Sequence, residues 1–155
     1  MRLNWGWNAE PNAPDERVAA DGIDIVLEFN LNHLLYPTFA DGQRGHIRFR
    51  AASQWRLGAT NDEGWYRGQC RFSGLAPAWG EFYEVTGDLR LESSTSGWVR
   101  VTDSAPSRSR HFLFYLRDST FECQAESFEF RADRCGETLP NKPMQPTGAP
   151  SGAGG

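Results

Sequence analysis

Lysine is almost absent: Lys142, near the C-terminus, is the only lysine among 16 basic residues. The folded body therefore has no ammonium for a Schiff base, a P-loop or a Ser-Lys hydrolase; genomic base composition accounts for such a bias without selection. Cysteine is equally sparse. Cys70, Cys123 and Cys135 are odd in number and widely spaced, which excludes a disulfide framework and a zinc-ligand pattern and suits a reducing cytoplasm. No window approaches eighteen uncharged apolar residues, and the first residues lack an apolar run and a small-residue cleavage site, so neither a signal peptide nor a membrane span is expected. Basic excess is missing too. A net charge of -4 disfavours a general nucleic-acid binder.

Aromatic residues are plentiful, with 6 Trp and 10 Phe among 155 residues. A chain of this length forms one domain that buries roughly two-thirds of its unfolded surface. Burial of those rings at about 25 cal/mol per Å² supports a core without staples. The apolar pattern has a period of two almost throughout. Ile23, Ile25, Leu27, Phe29 and Leu31 alternate with polar positions, and Ile47 and Phe49 alternate with Arg48 and Arg50 before a bend that leads to Trp55 and Leu57. Weaker strands are expected at Leu3, Trp5 and Trp7, over 64–72, twice within 81–92, and over 97–101. In 64–72, alternation sets Tyr66, Cys70 and Phe72 opposite Trp65, Arg67 and Arg71. Cys70 and Cys123 fall on apolar phases and behave as small hydrophobes. Eight to ten short strands without a helix-period segment predict an all-β, single-domain antiparallel barrel or sandwich.

Residues 110–131 write out a hairpin. A turn at Asp118-Ser119 pairs Leu116 with Phe121, Phe114 with Cys123 and Phe112 with Ala125 on an apolar face, and Tyr115 with Glu122 and His111 with Glu126 on a polar one. Leu113 is the exception on the polar side. The phase slips after Glu126, and a β-bulge near Ser127 would return Phe128 and Phe130 to the core.

Residues 1–135 are the expected β-rich domain; 136–155 are rich in Gly, Pro and Ala and lack periodicity, the composition of a disordered tail. Residues 139–155 (LPNKPMQPTGAPSGAGG) resemble the tails formed when a bacterial reading frame in an integron gene cassette runs into the recombination site, which implies a mobile bacterial gene.

Several groups could carry chemistry. Six arginines between Arg44 and Arg71 face only Asp62 and Glu63 within that stretch, and they either form an anion-binding face or pair with acidic neighbours across strands. His46, His111, Glu122 and Glu126 could form a His/carboxylate site, but no HxH or HExxH spacing completes a metal centre, so no metal and no cofactor is expected. Glu81, Glu84, Glu122 and Glu126 offer carboxylates for a glycosidase-type pair, which needs a separation of roughly 5–10 Å. Trp65, Arg67 and Arg71, with Trp79 in the following turn, are the residue types that anchor interfaces. The leading expectation is a protein-interaction or inhibitory, immunity-like module; the alternatives are a barrel with an aromatic-lined mouth for a small molecule, and a small His/Glu-dependent enzyme.

Overall fold

Alternation along 24–30 becomes a strand whose one face, Ile25, Leu27 and Phe29, is wholly buried. The computed structural model describes residues 1–58, 61–68, 74–86, 97–103 and 108–134. Among them the elements are β1 (Arg17–Asp21), β2 (Asp24–Asn30), β3 (Arg44–Arg50), β4 (Gln54–Gly58), α1 (Asp62–Tyr66), β5 (Phe82–Val85), β6 (Val99–Arg100), β7 (Arg110–Tyr115), β8 (Thr120–Ala125) and β9 (Ser127–Ala132). They form two antiparallel sheets, β1-β2-β3-β9 and β5-β7-β8-β4-β6, so the fold is a sandwich and not a closed barrel. The expected tail, the second strand of 81–92, and Cys70, Arg71, Phe72 and Cys135 lie outside the described residues.

The sheets pack through Ile25, Leu27, Phe29, Ile47 and Phe49 on one side and Phe82, Phe112, Phe114, Phe121 and Cys123 on the other. Phe82 is central: its ring centroid lies 5.0 Å from Phe128, 5.7 Å from Phe114 and 6.0 Å from each of Trp7, Phe49 and Phe112. Trp7 closes one end by stacking on Phe130 at 4.0 Å. Burial pushes the Cys123 thiol far up, which leaves it an inert hydrophobe.

The β7–β8 hairpin keeps the expected faces but not the expected partners. Phe114 opposes Phe121, Phe112 opposes Cys123 and His111 opposes Gln124, a shift of two residues that moves the turn to Arg117-Asp118. A shift of two preserves every side chain's face, so apolar alternation could not distinguish the two registers. The slip after Glu126 also has a different cause. The chain changes sheets there: β8 pairs with β4 and β9 pairs with β3. Between the pairs Arg50–Ser127 and Gln54–Gln124 the β3–β4 strand has the three residues 51–53 and its partner the two residues 125 and 126. The bulge therefore lies opposite Glu126, on the other strand, where it bends the ribbon from one sheet to the other. Ala51 takes a left-handed φ of 48° at this corner, and Asp24 Oδ1 accepts its N–H at 3.0 Å.

Two weaker strand expectations fail. The first residues make only an isolated bridge, Arg2 with Tyr83, and Trp5 is exposed while Trp7 is buried. The start of 64–72 is helical, because Asn61 caps α1 by accepting the Gly64 N–H at 2.8 Å.

The arginines of β3 do not form an anion-binding face. Arg44 pairs with Asp15 and Glu28, Arg48 with Asp21 and Asp24, and Arg50 with Asp24 and Glu129. Burial raises the Asp24 carboxyl, but the Ala51 N–H and the Arg48 and Arg50 guanidiniums outweigh it and hold the group below its usual range; the Arg110 guanidinium lowers Glu84 likewise. Folded values below unfolded ones give stability that is complete above about pH 4 and is lost as pH falls through the folded values. Urea melts between pH 7 and pH 3 should show a falling midpoint, and Asp24→Asn should flatten that acid limb; an unchanged limb would remove Asp24 from the account.

Candidate functional site

The outer face of the five-stranded sheet is covered, and its cover contains the most concentrated chemistry among the described residues. Leu113, the apolar exception of β7, joins Tyr83, Val85, Tyr115 and Ala76 in a second cluster against which Trp65 and Trp79 pack. Trp79 stacks on Tyr115 at 4.7 Å. Tyr115 Oη donates to the Ala76 carbonyl at 3.0 Å, and Tyr83 Oη accepts the Ala78 N–H at 3.0 Å. These bonds fasten the 74–80 loop over the sheet.

Beside this cluster is a buried ionic network. Arg56 and Glu122 are cross-strand partners in β4 and β8, and Arg56 donates from Nε to Oε1 at 3.0 Å and from Nη2 to Oε2 at 3.2 Å. His111 Nε2 lies 3.0 Å from Glu122 Oε2. Arg56, His111 and Glu122 are 6%, 7% and 3% exposed. The Trp98 ring covers the Arg56 guanidinium at 4.4 Å. A carboxylate bridging two basic groups in a dry setting is held rigidly, a geometry suited either to orienting an imidazole or to fixing strand register.

Of the expected His/Glu constellation, the structure brings together only His111 and Glu122. His46 lies on the outer face of the other sheet, 2.7 Å from Asp133 and 3.4 Å from Glu28. Glu126 is exposed at the sheet-switching corner, and the expected His111–Glu126 pair is replaced by His111–Glu122 because of the register shift. Glu81 and Glu84 are engaged by Arg2 and Arg110. No group of three or more His, Cys, Asp or Glu among the described residues could hold a metal.

The expected interface residues divide differently. Trp65 and Trp79 are supporting rings of the second cluster, whereas Tyr66, assigned to the apolar face, is 74% exposed. Strand alternation does not apply to the helical residues 62–66, and it is Trp65 that turns towards Trp79 and Tyr115. Arg67 pairs with Glu63 one turn earlier on the exposed surface.

Sequence reasoning missed a second region. β2 runs towards Asn30, β3 starts at Arg44, β4 ends at Gly58 and β5 starts at Phe82, so the connections 31–43, 61–68 and 74–81 emerge at the same end as the β7–β8 turn. Segment 4–16 crosses this end, where the Asn8 carbonyl accepts the Asn32 N–H at 2.9 Å and Glu16 accepts the Ser119 hydroxyl at 2.7 Å. Five of the large exposed apolar side chains sit on these connections: Trp5, Leu34, Leu35, Tyr66 and Leu75. The opposite end displays Ile23. Leu34-Leu35 directly after a strand was the signal available, but it reads equally well as the start of a buried helical turn.

No helix among the described residues is long and apolar enough to cross a membrane. No protein-family model, curated protein or solved structure matches the chain, and the functional reading is built on the two sites alone.

Proposed function

We propose that this protein is a binding module that engages another protein through the loop end of its sandwich, in an interaction or inhibitory role. The observation that carries the reading is the exposure of Trp5, Leu34, Leu35, Tyr66 and Leu75 on connections that leave one end of a rigid two-sheet frame. Exposed aromatic and aliphatic side chains on scaffolded loops are the usual material of an interface centre. The competing small-molecule reading needs an open barrel mouth. Here the space between the sheets is filled by phenylalanine rings, and the His111–Glu122 pair lies under cover.

A photo-crosslinking side chain placed at Leu34 in the producing cell should yield a discrete protein adduct that disappears in the Trp5→Ser, Leu35→Ser background. The same probe at Ile23 should yield none. Identical adducts from both ends, or none from Leu34, would overturn the reading.

A further inference from the structure

Charge separates the two ends and faces of the sandwich. The connections at the loop end, 4–16, 31–43, 61–68, 74–81, 116–119 and 133–134, hold nine acidic residues against three arginines, although the whole chain has a net charge of only -4. Part of that acid is neutralised from outside these connections: Asp15 by Arg17 and Arg44, and Glu81 by Arg2. Glu63 pairs with Arg67, Asp133 lies 2.7 Å from His46 and Asp118 lies 4.0 Å from Arg117, whereas Glu10, Glu16 and Asp41 have no arginine partner among the described residues. Glu10 accepts the N–H groups of Asn12 and Ala13, Glu16 accepts the Ser119 hydroxyl, and Asp41 lies 3.6 Å from His33. The side chains of Asp41 and Asp118 are 90% and 78% exposed. The outer face of the four-stranded sheet, by contrast, is a closed mesh of Arg–Asp and Arg–Glu pairs with no comparable surplus.

From this asymmetry we infer that the partner is a basic protein surface, one that presents clustered Lys or Arg around an apolar centre. The inference rests on the loop-end reading above and adds the chemistry of the occupant. Exposed Trp5, Leu34, Leu35 and Tyr66 supply the anchors, and the acidic rim supplies the steering. A rim of one sign attracts the opposite sign, raises the association rate and disfavours like-charged partners. A second copy of this chain would bring the same acidic rim against itself, and a nucleic acid would bring phosphates. Neither fits.

The test uses a phage-displayed library of random cyclic peptides selected against the full chain, with soluble Trp5→Ser, Leu34→Ser, Leu35→Ser protein as counter-selector. Enriched peptides should be net positive with an aromatic or aliphatic centre. Their affinity should fall about tenfold between 50 and 300 mM salt, and by a similar factor in Asp41→Lys, Asp118→Lys, whose folding is checked by circular dichroism. Enriched peptides that are neutral or acidic and indifferent to salt would overturn the basic partner while leaving the loop-end interface standing. Failure to enrich any peptide that discriminates against the apolar triple variant would overturn both.

Discussion

Glu122→Ala should destabilise the fold by about 3–5 kcal/mol. The substitution strips the shared carboxylate from Arg56 and His111, both under a tenth exposed, and removes the bidentate acceptor of the guanidinium buried beneath Trp98. Paired removal should behave differently. Replacing Arg56, His111 and Glu122 together by apolar residues of similar volume is expected to be neutral or stabilising by about 1–4 kcal/mol, because the desolvation cost of the ions disappears with their attraction. Urea melts of the single and triple variants measure both. A single-variant loss below about 0.5 kcal/mol, the range of ordinary surface changes, would show that the network is solvated and contributes nothing to the fold.

Phe82→Ala is the other large effect, at about 3–5 kcal/mol, because the ring meets five others and its removal leaves a cavity between two sheets that cannot collapse independently. For a domain of this size the melting temperature should fall by on the order of 10–20 °C. A drop of only a few degrees would mean that Phe128 and Phe112 close over the gap.

The strands with an apolar phase that forms a fully buried face could be read in advance, Leu113 of β7 aside. β2, β3, β7 and β8 are of this kind, and with them came the faces of Phe112, Phe114, Phe121 and Cys123. Register was not legible, since a slip of two leaves the pattern of faces unchanged and the turn residues Arg117, Asp118 and Ser119 favour no single loop. The polar face of the last hairpin misled for a related reason. His111 and Glu122 are polar but buried, and alternation reports polarity, not exposure. Arg56 joined the site only through β4–β8 pairing across 66 residues of sequence, and no local pattern specifies such a partner. Gly64-Trp65-Tyr66 read as a strand by composition, whereas the Asn61 cap selected a helical turn.

The corner ribbon has a consequence for biosynthesis. Residues 44–58 pair with residues 120–132 through both sheets, so neither sheet can be completed until the last third of the described chain has left the ribosome. During that interval β3 and β4 must wait with unpaired edges and with Ile47, Phe49 and Trp55 uncovered, the kind of surface on which nascent chains associate wrongly. Four arginines interrupt those apolar residues: Arg44 and Arg48 find their acids on the earlier residues 15–28, whereas Arg56 waits for Glu122 of β8 and Arg50 gains Glu129 only with β9.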